Sequence, residues 1–178
     1  MLRQIVCSFA LLAIAGGGAL AEAKNPVPRS AMTAGMKRAQ CSLPFKEAAE
    51  GINAEALDGK LKLVELPCWR AAYQAGSIFF AVDPASPGKA RLLQFEYWGG
   101  KKRSSTFSLT LPDFMAETKT LMSFNKGRGV GDCGSIGEWV WSGSDFKLTG
   151  FWVKDDCDGE PFEEADDKDK WRVFPPKH

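Results

Sequence analysis

The densest chemistry in the sequence is the run Lys126-Gly127-Arg128-Gly129-Val130-Gly131-Asp132-Cys133-Gly134-Ser135, followed closely by Glu138-Trp139-Val140-Trp141. Gly127, Gly129, Gly131 and Gly134 let the backbone take positive φ and present successive N–H groups, the geometry of an anion-binding nest. Arg128 adds a planar fork suited to carboxylate or phosphate. Asp132 is placed either to counter Arg128 or to cap N–H groups of the turn. The expected product is a recognition loop pinned by Cys133; the plainer alternative is a tight local turn, since glycines and short polar residues dominate turns for local reasons. Gly129 to Gly134 has the spacing of a dinucleotide-binding turn, but no helix follows it. Trp139 and Trp141 fall on one strand face. There they either pack a core or form an aromatic platform for a sugar or peptide.

Other constellations carry less. Ser123-Phe124-Asn125-Lys126 has the Ser-x-x-Lys spacing of exported acyl-transferases, but that chemistry wants the serine at a helix start and a Lys-Thr-Gly strand. Here Ser123 lies in an expected strand, and Lys147-Leu148-Thr149-Gly150 is one residue too long. A Ser-His-Asp arrangement would need His178, the single histidine, at the chain terminus. Asp155-Asp156-Cys157-Asp158-Gly159-Glu160 invites a calcium reading, yet alignment on Gly159 puts Lys154 and Ala165 at the first and last ligand positions. The stretch from Asp155 to Asp169 is therefore read as a solvated acidic loop. Lys101-Lys102-Arg103 after Gly99-Gly100 reads as a charged hairpin tip. No catalytic residue, metal or cofactor is assigned.

These residues need elements to hold them, and the cysteines indicate how. Residues 1–21 read as a secretory signal peptide: Arg3, an uncharged apolar run from Ile5 to Ile14, three glycines, then Ala19-Leu20-Ala21 before the cut. The run is shorter than the roughly 20 residues of a spanning helix. Cleavage removes Cys7 and leaves Cys41, Cys68, Cys133 and Cys157, an even number in an exported chain, hence two disulfides. Sequence order favours Cys41–Cys68 and Cys133–Cys157. Ser142-Gly143-Ser144-Asp145 supports the second pair as a hairpin turn that sets Trp141 opposite Phe146 and Trp139 opposite Leu148. The same register brings Cys133 near Lys154, and a bulge at Gly134, Gly137 or Gly150 absorbs the remaining offset to Cys157. Each bridge is worth roughly 3–4 kcal/mol by the chain-entropy argument.

Residues 22–40 are polar, with Pro26 and Pro28, and read as a flexible leader. Pro44 to Leu57 is Ala- and Glu-rich and reads as a helix capped by Ser42, with Gly51 weakening it. Strands are expected at 61–66, 77–82, 91–98, 106–111, 120–124, 138–141, 146–153 and 171–174, from period-two alternation broken by Pro- and Gly-rich turns. On that alternation Trp152 shares the face of Trp139 and Trp141. The fold class is mainly β (α+β): a meandering antiparallel sheet, sandwich or barrel-like, with one short N-terminal helix and two disulfides. Residues 41–178 form a single domain.

The charge is nearly balanced, 23 Lys+Arg against 22 Asp+Glu, which excludes the basic profile of a nucleic-acid binder. The glycine-rich run and its Trp-x-Trp sequel resemble a family of uncharacterised bacterial exported proteins, a domain of unknown function with a Gly-Arg-Gly-x-Gly-Asp-Cys-Gly signature. Leu66-Pro67-Cys68-Trp69-Arg70-Ala71-Ala72-Tyr73 is similar to that family's upstream segment, and Phe146-Lys147-Leu148, Cys157 and Trp171-Arg172 follow in matching order. The resemblance spans roughly Leu57 to Phe174; family members are often longer, with an extra N-terminal region that is not expected in this chain. It implies export and a fold but no reaction. The expected role is therefore a non-enzymatic periplasmic or secreted domain that binds a small anionic ligand or another envelope protein, with no membrane span after cleavage. The alternatives are an inhibitor of a lysozyme-like cationic hydrolase, with the acidic stretch meeting a basic enzyme, and an envelope hydrolase.

Overall fold

The computed structural model describes residues 25–100, 102–162 and 168–176. The expected signal peptide at residues 1–21, together with Lys101, residues 163–167 of the acidic stretch and His178, lies outside the described residues. Two helices, α1 (Arg29–Arg38) and α2 (Phe45–Glu50), precede the strands β1 (Asn53–Asp58), β2 (Leu61–Arg70), β3 (Ala75–Val82), β4 (Arg91–Leu92), β5 (Phe95–Gly99) and β6 (Lys102–Thr106). They are followed by β7 (Ser108–Thr110), β8 (Pro112–Met115), β9 (Thr120–Lys126), β10 (Gly134–Trp141), β11 (Phe146–Lys154) and β12 (Arg172–Phe174).

All strand pairs are antiparallel. The first sheet runs β1-β2-β3-β4, with β7 sharing the same edge of β3; the second runs β12-β11-β10-β9-β8; β5 and β6 form a separate ribbon. The sheets face each other across one apolar core. Leu57, Leu63, Phe79, Ala81 and Leu109 of the first meet Leu121, Trp139, Trp141, Phe146 and Phe151 of the second. The fold is thus the expected antiparallel β architecture, closed as a sandwich with both expected disulfides, Cys41–Cys68 and Cys133–Cys157.

Two further apolar layers lie outside the sandwich. Strand β3 is buried almost throughout, so its alternate residues need cover on both faces. Phe79 and Ala81 enter the inter-sheet core, while Ile78, Phe80 and Val82 face outward beneath α1 and α2. Cover comes from Val27, Met32 and Met36 with Ala48. This corrects the reading of residues 22–40 as a flexible leader, because 29–38 are helical. The buried stripe of α1 is only Met32, Gly35 and Met36. It is too narrow to outweigh the polar residues around it in composition, yet its spacing of three and four places it on one helix face. The described residues therefore hold two α-helices where one was expected.

The expected helix over Pro44–Leu57 stops at Glu50, and residues 53–58 are β1. Pairing with β2 overrides the local helix preference and turns Leu57 into the sandwich core. Ser42 does not cap α2; Pro44 holds that position without a side-chain bond. Instead the N–H groups of Ser42 and Leu43 both donate to the Cys68 carbonyl, beside the first disulfide. The expected strand 91–98 divides into β4 and β5 as the chain leaves the first sheet for the ribbon. Residues 106–111 divide at Phe107, whose ring carries the Arg38 guanidinium 4.7 Å above it.

Candidate functional site

The β10–β11 hairpin has the register that its turn predicts: Trp141 opposite Phe146 and Trp139 opposite Leu148. The Ser142 N–H donates to the Asp145 carbonyl (2.9 Å) and Gly143 takes φ +90°. A bulge then opposes Glu138 to Gly150, leaving Thr149 as the extra residue. The bulge reverses the parity of β11. Phe151 therefore joins the inter-sheet core, and Trp152 lies on the outer face with Phe124, Ile136 and Phe162. This corrects the placement of Trp152 beside Trp139 and Trp141. Both of those are core residues. Trp139 is edge-on to Phe95 at 5.7 Å and its indole N–H donates to the Glu96 carbonyl (2.6 Å); Trp141 packs on Phe146 at 5.3 Å.

The glycine-rich turn joins β9 to β10. Positive φ occurs at Gly131 (+73°) and Gly134 (+135°), and not at Gly127 or Gly129. Gly127 serves close approach instead: a β-carbon there would lie 2.8 Å from Cys133 Sγ. The N–H groups of Gly127 and Gly131 are spent inside the turn, on the carbonyls of Cys133 (2.9 Å) and Arg128 (3.0 Å). Lys126 donates its N–H to Gln74 Oε1 (3.1 Å) and holds its ammonium 5.5 Å from the Phe124 ring centroid.

Asp132 is buried at the centre of this turn. Its carboxylate accepts from Arg128 Nε (2.8 Å), from Arg128 Nη2 and from the Gly159 N–H (2.6 Å). The Arg128 guanidinium holds its carboxyl far below the usual range against the opposing effect of burial, and the Gly159 N–H adds to the lowering. Arg128 also donates to the Cys157 carbonyl (3.1 Å). Beside the Cys133–Cys157 bridge, the charged pair is thus a strut that ties the turn to the segment after β11. The fork that sequence spacing offered to an outside anion is occupied by Asp132.

The described start of the acidic segment, up to residue 162, is organised around an internal cation. Lys154 is 1% exposed; its ammonium donates to Asp158 Oδ1 (2.6 Å) and the Glu160 carbonyl (2.9 Å), and sits 4.8 Å from the Trp171 ring centroid. Two oxygens of the segment, Asp158 Oδ1 and the Glu160 carbonyl, are thus bound by this lysine. Asp132, Cys133 and Cys157 bring possible ligand atoms within 4.8 Å of one another, but both sulfurs are in the disulfide and the carboxylate is committed. Ser123 is committed too. Its hydroxyl donates to the Thr110 carbonyl (2.8 Å) and accepts from the Thr110 N–H (3.2 Å). Lys126, three positions along the same strand, falls on the opposite face.

Beside the turn lies a feature the sequence reading missed, a cleft of about 260 Å³ between the ribbon and the two sheets. Its walls carry the hydroxyls of Thr106, Ser108, Thr110, Ser123 and Ser135 and the amide of Asn125; Tyr97, Leu109, Trp139 and Phe151 supply apolar surface. A signal existed in the strand parity. Leu121 and Trp139 are paired and inward-facing, so the pairs Ser123–Gly137 and Asn125–Ser135 continue the same face toward the glycine-rich turn. Inward positions that switch from apolar to small and polar mark a place where the sandwich does not close.

The family of proteins of unknown function DUF1176 matches residues 13–174. The uncharacterized protein YpfG of Escherichia coli strain K12 is 25% identical over 125 residues, covering 69% of this chain and 35% of that protein. The chain thus spans about a third of the length of this curated relative. No solved structure matches. The chain belongs to the DUF1176 family.

Proposed function

We propose that this DUF1176 member is an exported protein of the bacterial envelope that acts as a non-catalytic binding module, with the cleft beside the glycine-rich turn as its ligand site. Two disulfides support an oxidising compartment. Among the described residues no helix is long and apolar enough to cross a membrane.

One observation carries the binding reading. The cleft converges several polar side chains on an apolar floor, the common composition of small-molecule sites. The turn, its strut and the disulfide hold the ends of β9 and β10, from which Asn125 and Ser135 project into it. In this reading the conspicuous motif is scaffold, and the residues that meet a ligand are the quieter ones next to it.

The test is an amide and indole NMR screen of the oxidised protein against a mixed library of small polar compounds. Binding at the cleft moves the Trp139 indole and Asn125 side-chain signals together. A screen in which those signals stay fixed while others respond would place the site elsewhere. Export is tested separately, by fractionating cells that express the full chain.

A further inference from the structure

We infer that the ligand of this cleft is an uncharged, polyhydroxylated ring, a neutral sugar residue. The inference rests on the cleft being the binding site, as proposed above.

The charge argument comes first. No residue lining the cleft is charged. An ion entering a space walled by two sheets and a ribbon loses hydration, and without a counter-charge that loss is not recovered. The cations of the turn give no compensation: Arg128 is bound to Asp132 on two of its nitrogens, and Lys126 falls on the opposite strand face, with its ammonium near the Phe124 ring.

Hydrogen-bonding capacity points the same way. Three of the lining hydroxyls have protein partners. Thr106 donates to the Ser108 carbonyl (3.0 Å) and accepts from the Ser108 N–H (3.2 Å); the Ser108 hydroxyl accepts from Trp69 Nε1 (2.9 Å); Ser123 is bonded to the Thr110 backbone. These fix the walls. Thr110 Oγ1, the Asn125 amide, Ser135 Oγ and the Tyr97 hydroxyl make no side-chain hydrogen bond among the described residues. They offer donors and acceptors together. A purely apolar guest would strip water from these groups and return nothing. A sugar hydroxyl both donates and accepts, so it can satisfy them.

The remaining surface suits the other side of such a ring. Leu109, Trp139 and Phe151 form a buried apolar floor, and Tyr97 stands partly exposed at the side with its ring centroid 6.3 Å from that of Phe151. A pyranose has a C–H face for aromatic and aliphatic carbon and an edge of hydroxyls for the polar wall. The volume, about 260 Å³, lies just below the roughly 300–1,000 Å³ of pockets for drug-sized ligands. It therefore holds one small ring, with Asn125 at the exposed end.

The experiment titrates the oxidised protein by two-dimensional NMR with three sets of probes. These are neutral hexoses and N-acetylhexosamines, the matching uronates and hexose phosphates, and the mixed polar library. The neutral sugars are expected to move the Trp139 indole and Asn125 side-chain signals, and the charged analogues of the same ring to leave them unmoved. A Thr110→Val, Ser135→Ala double variant should weaken the best neutral sugar about ten-fold or more, and Asn125→Ala should do so to a smaller degree. Thermal midpoints monitor folding; a variant that melts early is replaced by Tyr97→Phe, which deletes one hydroxyl and keeps the ring. If charged analogues or library members move the cleft signals and neutral sugars do not, the ligand class is wrong and the cleft remains a site. If none of the three sets moves those signals, both readings fall.

Discussion

Arg128 and Asp132, four positions apart in the glycine-rich turn, form a two-point ion pair whose guanidinium is half exposed and whose carboxylate is 2% exposed. The asymmetry decides what each residue does. A half-exposed arginine can be returned to water at little cost, but a buried carboxylate left without its partner is costly.

Arg128→Ala should therefore lower the thermal midpoint by several degrees, because it strands Asp132. Asp132→Ala should also destabilise, by releasing the Gly159 N–H. The double variant should cost less than the sum of the two. Thermal melts arranged as a double-mutant cycle measure this coupling; strict additivity would show that the pair is not the strut described above.

Acid should unfold the protein through the same residue. The folded Asp132 carboxyl sits below its unfolded value, chiefly through the Arg128 hydrogen bond. Its contribution is therefore present above the unfolded pKa of about 3.9 and is lost as pH falls below it toward the folded value. Asp58, Asp83, Asp158 and Asp169 shift in the same direction, but more exposed pairs contribute less. Asp132→Asn should flatten the acid limb of the stability curve more than Asp83→Asn.

Glu65 should behave in the opposite sense. Burial on β2 raises its pKa, with a further push from Glu55 against the opposing Ser77 hydrogen bond. Its ionised form thus costs stability at neutral pH, a cost that disappears once the folded carboxyl is protonated. Glu65→Gln should raise the thermal midpoint near pH 7 and leave it unchanged near pH 4. A lower midpoint at both values would show that the carboxylate makes a contact its amide cannot replace.

The two disulfides should differ in access. Cys157 is exposed, whereas Cys68 is buried completely. A small thiol should open Cys133–Cys157 first, since exchange requires approach to a sulfur. Alkylation and peptide mass mapping under graded reductant report the order. Replacing either pair with alanines should cost roughly 3–4 kcal/mol.

Helix α1 offers a test of the layer over the first sheet. A β-carbon at Gly35 would lie 2.6 Å from Cζ of the buried Phe80 ring. Gly→Ala inside an exposed helix normally stabilises by about 1 kcal/mol. Here Gly35→Ala should destabilise, and Gly35→Val should cost about 1–3 kcal/mol through overpacking. Chemical denaturation reads both. A stabilised Gly35→Ala would mean that α1 does not rest on Phe80.

Much of the framework was legible because it is encoded locally. Four cysteines in sequence order gave the two bridges, and the Ser142–Asp145 turn fixed the pairing of Trp139 and Trp141 with β11. Alternation located most strands, since period two persists wherever one face is buried. The missed elements were those whose local signal opposed their environment. The Ala- and Glu-rich residues 53–58 became β1 because β2 offered a pairing edge. The polar segment 29–38 became a helix because the outer face of β3 needed cover; the unbroken apolar run of β3 implied that cover without naming what supplied it.

The candidate site shows the same division. Residue types alone marked the glycine-rich turn, its charged pair and its tethered cysteine, all held within a few positions of one another. Whether Arg128 faces an outside anion or Asp132, and whether a gap opens between the sheets, depended on residues far apart in sequence: Gly159 and Cys157 at the turn, and Tyr97, Thr110 and Ser135 around the cleft. Periodicity specifies which side of a strand a residue occupies. Only the packing of one sheet on another sets what it meets there, because that distance is a property of every side chain in the layer and not of any one segment.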